Sequence, residues 1–210
     1  MWILPTQNDD SLTALFSIIA MLHIVTWNPK KFEKIMSVIH DLIDATQIDL
    51  DIPEIQSLIV DEVSKDKAIK AFELIKEPLI VEDTGIYFDA FQDYPGPLAK
   101  QTFQWLWISW IKALFDSVTN KTVRFRSVIS YIDESLDDPI SFIGQSVWEA
   151  DFSNPNAGFD KNLPYLSFFR PEWKEQVASE LDELFRKETH HRVKAARKFG
   201  EWLKSRESEK

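Results

Sequence analysis

The sequence predicts an α/β fold, because short apolar runs alternate with longer segments in which apolar residues recur every three or four positions. The first such pair is a strand over Leu22–Thr26 and the helix after it. Two later runs, Val123–Ile132 and Ile140–Trp148, alternate across the acidic turn Asp133–Asp138 and predict a hairpin. A chain of 210 residues can bury a full core, so one domain or a two-lobed domain is expected.

The first helix has a defined start in the sequence. Asn28 is a preferred N-cap residue, and Pro29 suits the first helical turn. The apolar residues that follow repeat with helical spacing up to about Asp44: Phe32, Ile35, Met36, Ile39, Leu42 and Ile43. The chain therefore begins with a strand, a tight turn and a helix.

The next segment continues this alternation. A strand, a helix and a buried strand are predicted in that order: Ile48–Ile52, Val63–Ile75 and Leu79–Val81. Glu82 and Asp83 follow the last of these strands directly and precede a turn predicted at Thr84 and Gly85. Two acids at the end of a buried strand indicate a metal site or a general base, although a solvated strand end would have the same pattern.

The second half of the chain predicts three helices, which are Ala99–Asp116, Trp173–Arg186 and Thr189–Leu203. The first of them carries an aromatic stripe from Phe103 to Leu114, which favours a core or dimer contact over a base-stacking role for one of its tryptophans. Residues 153–158 have the composition of a loop, and the charged tail from Lys204 is expected to fray.

The overall composition excludes several classes of function. A net charge of −10 argues against general binding of nucleic acid or anionic membranes, so an anionic substrate must meet a local basic cluster. The absence of cysteine excludes disulfides, thiolate nucleophiles and zinc–thiolate sites. These features predict a cytoplasmic protein, with the nucleus as a further compartment.

Residues 1–20 are interpreted as an N-terminal extension, followed by a domain over residues 21–203 and a tail over residues 204–210. The apolar segment Leu12–Leu22 follows two acids and lacks a clear cleavage site, so it does not fit a signal peptide. It is also shorter than the roughly 20 residues that a spanning helix needs. Met21 would be a natural start.

Two segments around the acid pair resemble a known family. Residues 81–85 read Val-Glu-Asp-Thr-Gly, and residues 95–100 read Pro-Gly-Pro-Leu-Ala-Lys. This order resembles the inosine triphosphate pyrophosphatase family, whose members carry Val-Glu-Asp-Thr-Gly/Cys-Leu and then Leu-Pro-Gly-Pro-Tyr-x-Lys. Leu98 replaces the tyrosine. The resemblance covers Leu22 to about Trp202, and it places Thr84 among the phosphate-binding residues and Lys100 in the site.

The turn before the first helix resembles the phosphate-binding segment of the same family. A helix N-terminus attracts phosphate, and Lys31 can add its charge. An ordinary capped helix with surface lysines would have the same sequence pattern. The family carries Thr-Gly-Asn-x-x-Lys here, which implies that Thr26, Asn28 and Lys31 bind the triphosphate. This chain departs from the family at Trp27, which replaces the glycine.

A second segment, Asp51–Gln56, resembles the family's Asp-Leu-Pro-Glu-x-Gln, in which the Glu helps to hold magnesium. The resemblance implies that Glu54 is a metal ligand and that Lys67, on the following helix, contacts phosphate. A solvated Pro-Glu turn and a solvated helix face are the simpler interpretations of these two residues.

The C-terminal part of the resemblance concerns base recognition. Phe159 and Asp160 match the family's aromatic–Asp pair, but the preceding aromatic residue is replaced by Ala157. His191 and Arg192 match its His-Arg pair, which donates hydrogen bonds to the 6-oxo group of deaminated purines and not to the 6-amino group of adenine. Arg186 occupies the position of a lysine that contacts phosphate in the family. Without the resemblance, His190 and His191 would be interpreted as a surface pair.

The resemblance implies an α/β fold in which a long mixed sheet divides two lobes around a central cleft. It implies hydrolysis of inosine and xanthosine triphosphates to the monophosphate and pyrophosphate by a homodimer, with Mg²⁺, or alternatively Mn²⁺, held by Glu54, Glu82 and Asp83. Asp83 and Glu82 would be the catalytic residues. A relative that has lost catalysis and only binds nucleotides or proteins is the alternative, as is an enzyme with a shifted base preference.

Overall fold

The computed structural model describes residues 21–106, 108–153, 167–171 and 174–208. The strands are β1 (Leu22–Val25), β2 (Ala45–Ile48), β3 (Leu79–Phe88), β4 (Pro95–Gly96), β5 (Thr122–Ile132), β6 (Ile140–Ala150) and β7 (Phe169–Pro171). The helices are α1 (Pro29–Ile39), α2 (Val60–Ile75), α3 (Ala99–Trp105), α4 (Ile108–Asp116), α5 (Glu183–Thr189) and α6 (His191–Ser208). In this part of the chain no helix is both long enough and apolar enough to span a membrane.

The strands form one mixed sheet in the order β2-β1-β3-β5-β6-β7, with β4 paired to the far half of β3. The β1–β2 and β1–β3 pairs are parallel, and the other pairs are antiparallel. The predicted α/β fold with a long mixed sheet is confirmed.

The three long strands β3, β5 and β6 run through two separate cores. At one end, the sheet packs on α1 and α6 through residues such as Ile80, Ile129 and Phe199, and on α2 across its other face. At the other end, Phe88 and Phe125 pack with α4 and β7 in a second core. The middle of the long strands therefore lies between two lobes.

Several predicted boundaries were wrong. The second strand is Ala45–Ile48 rather than Ile48–Ile52, and α1 ends at Ile39, because His40 to Ile43 form turns closed onto Met36 and Ile39. The single helix predicted over Ala99–Asp116 is divided at Leu106, whose backbone is extended.

The closing helices also differ from the prediction. Within Trp173–Arg186, a short 3-10 turn at Ala178–Glu180 precedes α5, which begins only at Glu183 because Asp182 caps it by accepting from Phe185 N. The last helix continues past Lys204 to Ser208 instead of fraying, since Arg206 pairs with Asp133 at 2.6 Å. Trp173 lies outside the described residues.

Candidate active site

Glu82 and Asp83 lie in the middle of a continuous strand, at the junction of the two lobes. The parallel pairing of β3 with β1 ends at Val81, but its antiparallel pairing with β5 continues to Phe88. The predicted strand end and Thr-Gly turn were therefore wrong, because residues 84–88 find hydrogen-bonding partners on β5. The acids occupy the position where one neighbouring strand stops and leaves space.

The two acids face opposite sides of the sheet, because consecutive side chains of a strand alternate. Glu82 is paired across the sheet with Ile129, which belongs to the core under α1 and α6. Asp83 is paired with Val128, which packs with Val60 of α2. The structure thus separates the predicted pair into two environments.

The Glu82 carboxylate is the centre of a buried polar network, and its side chain is only 1% exposed. Its Oε1 accepts hydrogen bonds from Thr84 Oγ1 at 2.5 Å and Ser127 Oγ at 2.7 Å. Its Oε2 lies 2.9 Å from Lys31 Nζ and 3.1 Å from Arg192 Nε, although these two charge contacts lack hydrogen-bond geometry. Four structural elements therefore meet on one carboxylate.

The pKa of Glu82 follows from this network. Burial opposes ionisation, but the charges of Arg192 and Lys31 and the hydroxyl groups of Thr84 and Ser127 outweigh it and hold the pKa well below its usual value. Glu82 is therefore ionised at neutral pH.

The Asp83 carboxylate has the opposite environment. Its Oδ1 accepts from Thr84 N at 2.8 Å, while Oδ2 is buried and makes no hydrogen bond within the described residues. Burial raises the pKa of Asp83, and the charges of Glu82 and Glu54 add to this, whereas Lys31 and Lys67 oppose it. An ionisable oxygen without a partner indicates a place for a ligand or a proton.

The loop of Glu54 brings a third carboxylate to the Asp83 side, and helix α2 brings Lys67. Lys67 Nζ lies 2.6 Å from Glu54 Oε1, and both charges act on Asp83. Glu54 is exposed, as the alternative of a solvated turn also predicts. The residues that the structure describes include no group of three acids or histidines arranged to hold one metal ion, so the predicted three-carboxylate set is not assembled.

The β1–α1 turn approaches the same strand from the first lobe. Asn28 Oδ1 caps α1 by accepting from Lys30 N at 3.0 Å, and Thr26 Oγ1 accepts from Asn28 N at 3.2 Å. Trp27 is 67% exposed, and its ring lies 5.6 Å from Lys100 Nζ on α3. The turn thus has the expected helix N-terminus, with the indole directed towards the second lobe.

The start of α6 supplies the base-reading candidates. Arg192 Nη2 donates to Thr84 Oγ1 at 3.3 Å. The His191 ring stacks on Phe125 with 5.3 Å between centroids, and burial together with the charge of Arg192 holds its pKa well below the usual value, so it is neutral. His190 is neutral for the same physical reasons, and its Nδ1 accepts from Arg192 N at 3.1 Å. The two histidines are part of the site and not an exposed pair.

Sequence reasoning missed two residues of this site. Ser127 carries one of the two hydroxyl donors to Glu82, and Gly144, its partner on β6, lies directly under the start of α6. Neither residue belongs to a motif. Phe159, Asp160 and Ala157 lie outside the described residues, and of Arg186 only the helical backbone in α5 is described.

Comparison with known proteins gives a consistent result. The model of the Ham1 family matches residues 22–202. A protein of Phaeosphaeria nodorum named inosine triphosphate pyrophosphatase is 31% identical over 186 residues, which cover 88% of this chain and 94% of that protein. A dITP/XTP pyrophosphatase of Methanopyrus kandleri is 29% identical over 78% of this chain and 85% of its own length. The structure of a HAM1 protein from Coxiella burnetii superposes with a TM-score of 0.76 at 18% identity, covering 88% of this chain and 99% of that one.

Proposed function

The chain belongs to the Ham1 family, and on this premise we propose that it hydrolyses deaminated purine nucleoside triphosphates to the monophosphate and pyrophosphate with the help of Mg²⁺. Similar proteins are named for inosine triphosphate and for dITP and XTP. In the cell such a reaction would remove damaged nucleotides from the precursor pool.

One observation carries the proposal. In a protein with a net charge of −10, three basic side chains converge on a few residues of β3. Lys31 and Arg192 contact Glu82, and Lys67 acts on Asp83 together with Lys31. A polyphosphate carries several negative charges and needs such a local cluster.

The residues on the Asp83 side fit a magnesium ion. Mg²⁺ is bound through one or two carboxylates together with substrate phosphates. Asp83 offers a buried oxygen that makes no hydrogen bond with the described residues, and Glu54 offers an exposed carboxylate whose charge acts on Asp83. We therefore assign the ion to these two residues, where it would neutralise charge on the phosphates.

Asp83 is also the proposed general base. A water molecule held by its carboxylate attacks the α-phosphorus, the proton passes to Asp83, and the bond to the bridging oxygen breaks to release pyrophosphate. Lys31, Lys67 and Arg186 neutralise the phosphates, and the turn at Thr26 and Asn28 places the N-terminus of α1, with its positive end of the helix dipole, beside them.

Base selection is proposed for the other side of β3. Arg192 has five N–H donors, of which one donates to Thr84 while Nε lies 3.1 Å from Glu82 Oε2, so the guanidinium has donors left for a 6-oxo group. Neutral His191 has one N–H to donate. Phe159 and Asp160 complete the proposed base site. A purine with a 6-amino group would leave these donors unpaired and be rejected.

The remaining proposals concern the state of the protein in the cell. We propose a homodimer in the cytoplasm, with the nucleus as a further compartment. Trp105 and Trp110 are exposed large apolar side chains on α3 and α4, which supports a role of this surface in the dimer.

The function is tested by measuring pyrophosphate release from inosine, xanthosine, guanosine and adenosine triphosphates, with Mg²⁺, with Mn²⁺ and with a chelator. Asp83→Asn is the matched control. Because the raised pKa makes the ionised Asp83 costly in the folded state, this variant is expected to be at least as stable as the wild type, so its loss of activity cannot be ascribed to unfolding. Wild-type release that does not exceed this control would contradict the proposal and leave a binding protein.

A further inference from the structure

We propose that the surface cleft between α1 and α6 is a second binding site and that its ligand is a nucleoside monophosphate. The cleft has a volume of about 340 Å³, and no residue that we assign to hydrolysis lines it. Small-molecule sites in proteins measure about 300 to 1,000 Å³, so the cleft has room for one small ligand. This site goes beyond the proposed function, because it does not depend on any step of the reaction.

The two helices that form the cleft carry an excess of positive charge. Helix α1 has three basic residues and one acid, and α6 has six basic residues and two acids. The whole chain has a net charge of −10, so the rest of the molecule is strongly acidic. Such a concentration of one sign of charge attracts an anion to this pair of helices and away from the remaining surface.

Two of these cations, Arg197 and Lys204, lie on opposite sides of a gap in the lining of the cleft. They are seven residues apart on α6, so they face nearly the same side at about 10.5 Å along the helix axis. Gly200 lies between them and has no side chain to fill the gap. Among the described residues, the ion pairs of α6 belong to Arg192 and Arg206, which leaves both cleft cations available to a phosphate group.

The remaining lining residues indicate what is attached to the phosphate. Glu201 also lines the cleft, and its carboxylate accepts hydrogen bonds from hydroxyl groups such as those of a ribose. Its negative charge also disfavours a ligand with several phosphates. Val38 and Leu42 form an apolar wall on the opposite side. Ser37 donates its hydroxyl to Lys34 O at 2.8 Å, so it offers the ligand only an acceptor.

The cleft is separate from the active site, although both involve the same two helices. Arg192 lies at the start of α6, and Arg197 follows it by five residues and Lys204 by twelve. At 1.5 Å per residue, these cations are roughly 7.5 and 18 Å further along the helix axis. A ligand between Arg197 and Lys204 therefore occupies the outer part of the α1–α6 pair, while the start of α6 remains available to the substrate.

Calorimetry with adenosine monophosphate tests the site on the full chain, because the proposed active site rejects a 6-amino purine. Arg197→Gln should weaken its binding about tenfold or more, the loss expected for one charge-assisted hydrogen bond, and Lys204→Gln should act in the same direction. Lys198→Gln is the matched control, since Lys198 is the next residue on α6 and is exposed but does not line the cleft. It should change the affinity less than about twofold.

Adenosine and inorganic phosphate are titrated separately, and each should bind at least about tenfold more weakly than the monophosphate. Equal weakening in Arg197→Gln and Lys198→Gln would overturn the inference, because it would show only a general effect of charge. Unchanged affinity in Arg197→Gln would overturn it as well, and so would inorganic phosphate that binds as tightly as the nucleotide. Arg197→Gln should leave turnover of inosine triphosphate unchanged. Absence of wild-type turnover would refute the proposed function alone, and the titrations would still report on the cleft.

Discussion

Gly144 is the residue whose replacement tests the architecture of the site most directly. It lies on β6 opposite Ser127, which in turn lies opposite Thr84, so one row of residues crosses the sheet beneath the start of α6. A Cβ atom at Gly144 would lie well inside 3.0 Å of the His191 carbonyl oxygen and of the Ala195 nitrogen. Both atoms are backbone, so the overlap cannot be relieved by a rotamer change.

Gly144→Ala should therefore displace the N-terminus of α6 by roughly 1 Å or more, the shift needed to restore ordinary van der Waals contact. Overpacking of this kind costs typically about 1 to 3 kcal/mol of unfolding free energy. The same displacement moves Arg192 from its contacts with Glu82 and Thr84, and a 1 Å misplacement of a positioning group can cost about 100-fold in rate.

Gly200→Ala on the same helix is the matched control. Its Cβ would meet only side-chain carbons, of Leu42 at 3.0 Å and of Ile39 at an ordinary 3.7 Å, and the Leu42 side chain can adjust. Alanine is favoured over glycine inside a helix by up to about 1 kcal/mol, so this variant should be as stable as the wild type or more so. Urea denaturation and kcat/KM with inosine triphosphate measure both effects. Wild-type stability and rate in Gly144→Ala would refute the reasoning.

Two further predictions concern residues outside this row. Burial opposes ionisation of Asp133, but hydrogen bonds from Arg206 and Ser135 lower its pKa from 3.8 to about 2. Because the pKa of Asp133 is depressed in the folded state, its ionised form stabilises the folded protein by about 2 kcal/mol. This stabilisation is present above pH 3.8 and is lost as the pH falls through about 2. Asp133→Asn should therefore remove this acid dependence from the midpoints of urea denaturation. Trp27→Gly should lower the KM for inosine triphosphate about tenfold by admitting one more backbone N–H to a phosphate, with little change in Tm because the indole is mostly exposed. An unchanged or higher KM would mean that the indole and Lys100 contribute to binding.

The hairpin and the helical character of α1, α2 and α6 could be predicted because their periodicity is long and regular, and the first strand because its short apolar run precedes a clear helix start. The length of β3 could not, since Thr84 and Gly85 have the local character of a turn and are kept extended only by their partners on β5. The break at Leu106 is likewise invisible, because the apolar spacing continues across it.

The candidate site was predicted as a set of residue types but not as a geometry. Lys31 and Arg192 meet at Glu82, and Glu54 acts on the neighbouring Asp83 from the other face of β3, although these residues come from separate parts of the sequence. Ser127 was missed because its hydroxyl is brought within hydrogen-bonding distance of Glu82 only by the pairing of β3 with β5.

The opposite environments of two consecutive carboxylates follow from the alternation of a single strand. The face of Glu82 meets two cations and two hydroxyl groups, which keep it ionised, while the face of Asp83 meets burial and a second carboxylate, which raise its pKa. Neighbouring acids with pKa values driven apart are the usual basis for dividing roles between a permanent charge and a proton acceptor. A β-strand separates the two carboxylates by itself, without a loop to position them, because consecutive side chains face opposite sides of the sheet. For this reason the acidic limb of the pH–rate profile should report the ionisation of Asp83, with Glu82 remaining charged throughout.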